Sequence, residues 1–286
     1  DCEIVFDEKG VAVDVRLRER GEAEQMIEEF MLMANETVAK FGHERKMPFV
    51  YRVHEPPEAE RLETLAAALK VAGIDARSIR PGLKPLDVAT VLQKAAGSPQ
   101  AKALNEMALR TMAKARYSPE DLGHFGLALT DYCHFTSPIR RYPDLSVHRI
   151  LTDILANGTG GEVAERYREF VESAATQSSQ REIAAMQVEW DCDDIYKAEY
   201  MSRHIGEKFD AVVTGVQSYG MYVGLENTVE GLVRVESLPG GWYDYDEKNM
   251  ALSCARTGAR YAIGDKVRVI VAGAEVATGQ VDFELI

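Results

Sequence analysis

Apolar and polar positions alternate over Val11, Val13, Val15 and Leu17, which predicts a strand. From residue 22 to about residue 41 the period lengthens. Met26, Ile27, Phe30, Met31, Ala34, Val38 and Phe41 recur at helical spacing, and the methionines read as core filling rather than as a ligand set. Glu55-Pro56-Pro57 interrupts the pattern. Leu62, Leu65, Leu69 and Ala72 then share one helical face, ended by Gly73. After a turn at Pro81-Gly82, short helices fit Leu86 to Ala96 and Ala101 to Ala115. Residues 118–135 are less regular and carry Gly123 and Gly126. A helix is predicted from Ser137-Pro138 to about Asn157, then a turn at Asn157-Gly158-Thr159-Gly160-Gly161, then a long Glu-rich helix from 162 to about 203.

At His204-Ile205-Gly206 the texture changes. Short alternating runs follow at Ala211 to Val216, Met221 to Leu225, Gly231 to Val235, Lys266 to Val271 and Gln280 to Leu285. Five short strands in so few residues predict a small closed barrel of the OB type. The expected fold class is therefore α+β: a mainly helical part, residues 1–203, followed by a five-stranded barrel domain, residues 204–286. No internal repeat is present.

Composition changes this picture little. A chain of 286 residues with 46% apolar and 28% charged residues has room for two domains and a sizeable core. No apolar run reaches membrane-spanning length, so no membrane partner is expected. The opening Asp-Cys-Glu-Ile-Val-Phe-Asp holds neither Met nor a signal peptide and reads as the middle of something longer. Cys2, Cys133, Cys192 and Cys254 are scattered without a Cys-x-x-Cys pair. That argues against zinc and against a disulfide framework, and it fits a reducing cytoplasm. The net charge of −13 disfavours broad, non-specific binding to nucleic acid but leaves a focused basic channel open.

The chemistry concentrates in residues 134–149, His-Phe-Thr-Ser-Pro-Ile-Arg-Arg-Tyr-Pro-Asp-Leu-Ser-Val-His-Arg. Ser137 is a helix-capping residue, and Pro138 pre-sets the first helical dihedral. Arg140 would then lie in the first turn with Arg141 behind it. Free backbone N–H groups, the positive dipole end and two guanidiniums would converge on one anion site suited to a phosphodiester. Two arginines there oppose the macrodipole, which an ordinary surface helix avoids. The plainer reading is a surface helix whose arginines pair with Asp144.

This segment resembles the signature of the ribonuclease R / ribonuclease II (RNB) family of exoribonucleases. Gln25-Met-Ile-Glu-Glu-Phe-Met-Leu-Met-Ala-Asn35, Pro48-Phe-Val-Tyr-Arg-Val-His-Glu-Pro-Pro57 and His124-Phe-Gly-Leu-Ala-Leu129 resemble further family segments in the same order. The part from Gly206 is similar to the S1 RNA-binding domain that closes these enzymes. The resemblance implies a processive 3′→5′ exoribonuclease that hydrolyses single-stranded RNA with Mg²⁺ and releases nucleoside 5′-monophosphates. In the family an Asp-x5-Asp-x-Asp-Asp segment holds the metal, since hard Mg²⁺ takes carboxylate oxygens. That segment would lie upstream of the position matching Asp1. The chain thus resembles the C-terminal portion of an RNB catalytic domain plus S1 domain, with the N-terminal part of the same enzyme as a partner and no activity expected alone. Asp191-Cys-Asp-Asp194 has part of the metal-binding spacing, but it aligns with a non-catalytic stretch; no residue of this chain is expected to ligate the metal.

Residue by residue, the resemblance makes Arg140 the catalytic-site arginine on the scissile or adjacent phosphate. An arginine cannot act as a base at neutral pH, so its part is electrostatic. Arg141 is a second phosphate contact or a partner for a carboxylate. Thr136 and Ser137 cap the helix and would also touch phosphate. Glu29 and Glu182 match family glutamates, the first near the RNA 3′ end; a solvated helix glutamate is the plain alternative for each. Tyr132 and His134 would line the RNA path or be satisfied core residues. In the barrel, Tyr219 and Tyr222 match the S1 aromatic pair, which needs a bulge or turn at Gly220 to bring both to one face. Arg234 stands where a histidine is frequent and keeps a cation. Gly279 stands where an arginine is frequent, and Glu275 keeps the acidic position before it. Glu226, Glu230, Asp244, Asp246 and Glu247 make the surroundings acidic. The alternative function is a non-catalytic RNA-binding or regulatory protein on the same scaffold.

Overall fold

A computed structural model describes residues 2–96, 101–159, 161–246 and 250–286. Gly160 of the expected turn and Glu247 of the acidic group lie outside the described residues. The chain opens with an antiparallel hairpin of β1 (Cys2–Phe6) and β2 (Ala12–Leu17). Then follow α1 (Glu22–Glu44), β3 (Tyr51–Val53), α2 (Ala59–Val71), α3 (Pro85–Ala95), α4 (Ala101–Thr111) and β4 (Arg116–Ser118). A one-turn 3-10 helix at Phe125–Leu127 leads to α5 (Tyr142–Asn157) and the long α6 (Gly161–Met201). Two compact units result: Arg20–Ala185, and Asp1–Glu19 together with Met186–Ile286, so the division falls within α6.

The first unit is helical and has two cores. In one, Leu62, Leu65 and Leu69 of α2 pack with Val91 of α3 and with Leu104 and Ala108 of α4. In the other, Ala39, Phe49, Val50 and Val53 pack with Val147, Ile150 and Ile154 of α5 and with Val171, Ala174 and Ala175 of α6. β3 pairs with β4 on one side. On its other side Arg52 N donates to Tyr132 O at 2.9 Å, and Tyr51 bridges to Cys133. Residues 132–133 thus run as an irregular third strand that delivers the arginine segment to its place.

Two expectations change here. The helix expected from Pro138 begins at Tyr142, with Arg141 as its N-cap residue. Pro143, in the first turn, is the proline that starts it; its missing N–H would have had no intrahelical acceptor. Residues 138–140 form a separate turn, in which Arg140 N and Arg141 N donate to Ser137 O at 3.3 and 3.0 Å. The second change concerns α1. Its apolar stripe is helical as read, but Met26, Phe30 and Met31 are 54%, 60% and 38% exposed, so those methionines fill no core among the described residues.

In the second unit the barrel closes in the order β11-β12-β7-β6-β5, built from β5 (Lys208–Gln217), β6 (Gly220–Leu225), β7 (Glu230–Arg234), β11 (Lys266–Glu275) and β12 (Gln280–Leu285). All pairings are antiparallel except β12 with β7. This is the five-stranded OB arrangement, and α+β is the fold class. Its core holds Val213, Met221, Val223, Val233, Val269, Val271 and Phe283, joined by Val15 of β2 and by Ala198 and Met201 of α6. Between β7 and β11 the chain adds a small sheet of β8 (Asp244–Asp246), β9 (Ala251–Ser253) and β10 (Arg260–Ala262). No described helix is long and apolar enough to cross a membrane.

Candidate nucleic-acid interface

The arginine segment is organised by one carboxylate. Asp144, in the first turn of α5, is fully buried, and its Oδ1 accepts from Ser137 N at 2.8 Å and from Arg141 Nη2 at 2.8 Å. An acid in the first turn suits the helix dipole, and here it also ties down the turn before the helix. Arg141 is therefore the carboxylate's partner. Neither Thr136 nor Ser137 supplies a side-chain cap. Arg140 is exposed, and among the described residues its guanidinium has no hydrogen-bond or ion-pair partner. Three buried polar atoms sit in this segment without partners: Thr136 Oγ1, Arg141 Nε and Asp144 Oδ2.

Behind the arginines lies a polar network. Tyr117 OH meets His134 Nδ1 at 2.9 Å, and Tyr132 OH accepts from Asn35 Nδ2 at 3.1 Å. The Tyr132 and His134 rings meet edge-on, 5.7 Å apart. Asn35 Oδ1 in turn accepts from Phe135 N at 2.9 Å and Thr136 N at 3.3 Å, so one buried amide of α1 fixes residues 132–136. Arg52 of β3 donates to Glu182 Oε2 at 2.6 Å and lies over the Tyr117 ring, 4.7 Å from its centroid. Burial, then the Arg141, Arg52, His124 and Arg140 charges, push His134 down to about 3. Burial likewise lifts Tyr117 to about 12. Both are neutral at physiological pH and act by hydrogen bonding, not charge. His124 is lowered to about 4, mostly by burial and then by His54.

The structure brings Arg140, Arg141, Thr136, Ser137, Tyr132, His134 and Glu182 into one neighbourhood. Glu29 is exposed on α1, and among the described residues no contact ties it to that group. Sequence reading missed Asn35, Arg52 and Tyr117 as members. Asn35 lies within the helical pattern of α1, and Arg52 and Tyr117 lie between predicted elements; their polar ends meet only through pairing of β3 with β4 and with residues 132–133.

The barrel's own face stands in the other unit. Tyr219 lies in the two-residue turn between β5 and β6, and that turn brings its ring to the side of Tyr222; the hydroxyls are 3.2 Å apart and the rings edge-to-face at 6.4 Å. Gly220, at φ +155°, allows it: a Cβ there would stand 2.3 Å from Val233 O. Arg234 pairs with Asp282 at 3.4 Å, both exposed. Gly279, at φ +68°, sits against α6, where a Cβ would lie 2.9 Å from Asp194 Cβ. That close approach leaves no room for a side chain. Asp193 accepts from Cys2 Sγ at 3.4 Å and Asp191 from Gln187 Nε2 at 2.8 Å, so the Asp191–Asp194 stretch serves local structure.

Comparison with known proteins places this geometry. The RNB domain model matches residues 1–157, more than half of the chain, and the S1 RNA binding domain model matches residues 203–286. The chain belongs to the RNB family. Ribonuclease R 1 of Lactococcus lactis is 39% identical over 284 residues, which is 99% of this chain and 35% of that protein. The apo form of Mycoplasma genitalium RNase R superposes with a TM-score of 0.92 at 28% identity, covering all of this chain and 45% of the other. The same protein in complex with ribose methylated single-stranded RNA gives the same values. The family resemblance and the fold class read from the sequence are thus borne out. This RNB chain spans less than half the length of these relatives.

Proposed function

We propose that this chain is part of a 3′→5′ exoribonuclease that hydrolyses single-stranded RNA to nucleoside 5′-monophosphates. The observation that carries the reading is Arg140, an exposed guanidinium with no partner among the described residues, held on a turn that Asp144 fixes through Ser137 N and Arg141 Nη2. Arg140 binds the scissile or adjacent phosphate and offsets the charge that grows there in the transition state. Arg141 and Asp144 hold the turn that presents it. Thr136 Oγ1 and Arg141 Nε lie buried and unpartnered in the same segment. Tyr132 and His134 line the strand's path as neutral hydrogen-bonding rings, Glu182 fixes Arg52 behind them, and Glu29 awaits the RNA 3′ end. Complexes of RNase R with single-stranded RNA support this class of partner.

Mg²⁺ is the proposed cofactor, supplying a polarised water and charge neutralisation. The residues described here do not fit it near Arg140: Asp144 is committed to Ser137 and Arg141, and the sole described group of three metal-capable donors, His43, Asp121 and Asp131, is of mixed type. The carboxylates that hold Mg²⁺ are therefore assigned to the N-terminal part of the longer protein. That part is also the partner we propose for the exposed apolar stripe of α1. Four free cysteines suit a cytoplasmic setting. In the barrel, Tyr219 and Tyr222 stack on bases beside Arg234.

Comparing the longer protein with its Arg140→Ala variant on a 5′-labelled RNA tests the proposal. Stepwise shortening from the 3′ end, lost in the variant, is expected. RNA binding without any shortening would favour the non-catalytic regulatory reading.

A further inference from the structure

Outside the arginine site, three side chains from two segments converge on one point. His43 Nδ1, near the end of α1, lies 3.3 Å from Asp121 Oδ2 and 3.2 Å from Asp131 Oδ1. All three ligand atoms are within 4.8 Å of one another. The carboxylates are held in this pose from outside the cluster. Asp121 Oδ1 accepts from Gly123 N at 3.2 Å, and Asp131 Oδ2 accepts from Thr130 Oγ1 at 2.7 Å. Each acid thus has one oxygen anchored by the protein and the other turned to His43. That is how outer-shell donors orient metal ligands.

The two carboxylates need a proton or a cation between them. The Asp121 side chain is 4% exposed and the Asp131 side chain 17%. Among the described residues neither pairs with a lysine or arginine. Two carboxylates this close, one of them buried, repel unless a proton or a metal ion stands between them. His43 is 56% exposed and swings at little cost, so the ligand atoms can close to the distances a small cation requires. One imidazole and two carboxylates make a nitrogen–oxygen set that suits Zn²⁺, with water in the open position, far better than Mg²⁺ or Ca²⁺.

We propose that His43, Asp121 and Asp131 form a Zn²⁺ site that clamps the end of α1 to the loop preceding the arginine segment. The cysteine spacing spoke against zinc; this site uses no thiolate. Loop residues 121–131 lead directly into Tyr132 and His134, so the clamp steadies the approach to Arg140 without touching it.

The whole chain, stripped with EDTA, is titrated with Zn²⁺ by calorimetry and with Co²⁺ by visible absorption. The expected result is a single saturable step, a Co²⁺ d–d band, and a rise in Tm on adding Zn²⁺ that EDTA reverses. His43→Ala and Asp131→Asn should each remove the step, the band and the Tm rise. His204→Ala, which breaks a His–Glu pair in the other unit, should keep all three. His43 is a surface residue, so its variant keeps the fold, and matching circular dichroism in EDTA verifies this. A step that survives His43→Ala or Asp131→Asn, or one that disappears in His204→Ala, overturns the proposal. So does displacement of Zn²⁺ by millimolar Mg²⁺, which would mark an acidic patch rather than a built site.

Discussion

Arg140 and Arg141 are adjacent in sequence and opposite in use. Asp144 lies three residues from one and four from the other, and helical geometry would let it pair with either. The choice is settled by where the helix starts. With Arg141 at the N-cap, its side chain folds back onto Asp144 while Arg140 projects from the turn. In the longer protein, Arg140→Ala should lower turnover by about 10²–10³, the scale of losing one oxyanion-type donor, with a smaller effect on RNA affinity. Arg140→Lys should restore only part, because an ammonium lacks the planar fork. Unchanged single-turnover rates in Arg140→Ala would remove it from the site. His134 makes a pH prediction. Its value falls from 6.5 to about 3 on folding, so between those limits the unfolded chain binds the extra proton. Stability should be intact above about pH 6.5 and fall by about 1.4 kcal/mol per pH unit below it, as the folded state resists protonation. His124, lowered to about 4, adds to the same slope. Urea midpoints measured from pH 8 to pH 4.5 should show this loss, and His134→Gln should flatten it.

Among the elements, those with a long regular pattern were legible. α1, α2 and the five barrel strands carry enough apolar positions at one period to declare themselves. β8, β9 and β10 are three residues each, too short for any period to show. The start of α5 was misplaced because two Pro signals compete, Ser137-Pro138 and Tyr142-Pro143, and local chemistry favours the serine. The buried carboxylate reverses that preference: Asp144 accepts Ser137 N, which pulls residues 138–140 into a turn of their own. The consequence is measurable. Ser137→Ala should change stability by less than about 0.5 kcal/mol, as at a surface site, since its hydroxyl caps nothing. Asp144→Ala should cost roughly 3 kcal/mol, because it strands the Arg141 guanidinium and Ser137 N. Equal losses by chemical denaturation would restore Ser137 as the cap. The stripe on α1 shows the other limit of pattern reading: periodicity reveals that a face is apolar, not what covers it. Amide exchange over residues 26–33 should slow in the longer protein relative to this chain, and equal exchange would argue that the N-terminal part docks elsewhere.

At the scale of the molecule, charge and stacking pull RNA affinity in different directions. The chain carries −13, and the barrel's Arg234 and Arg268 each face a carboxylate, Asp282 and Asp210. Among the described residues of the barrel, Lys208, Arg256, Arg260 and Lys266 are in no ion pair, so only a handful of phosphates can be neutralised there and the counterions released on binding are correspondingly limited. The slope of log K against log salt for a short single-stranded RNA should therefore be shallow, near −0.7 for each of about two to three phosphates. Affinity then rests mainly on the Tyr219–Tyr222 pair. Tyr222→Ala should weaken binding by about 1–3 kcal/mol, while Tyr222→Phe, which keeps the ring, should stay near the parent. The pair's 3.2 Å hydroxyl contact makes the phenylalanine variant the discriminating one. A loss as large as that of alanine would mean that the hydroxyl network, not the ring face, holds the RNA. A steep salt slope with no effect of either variant would place the binding surface at Arg140 and its neighbours instead of on the barrel. Both titrations are to be made in EDTA, where shortening of the RNA cannot confuse the reading.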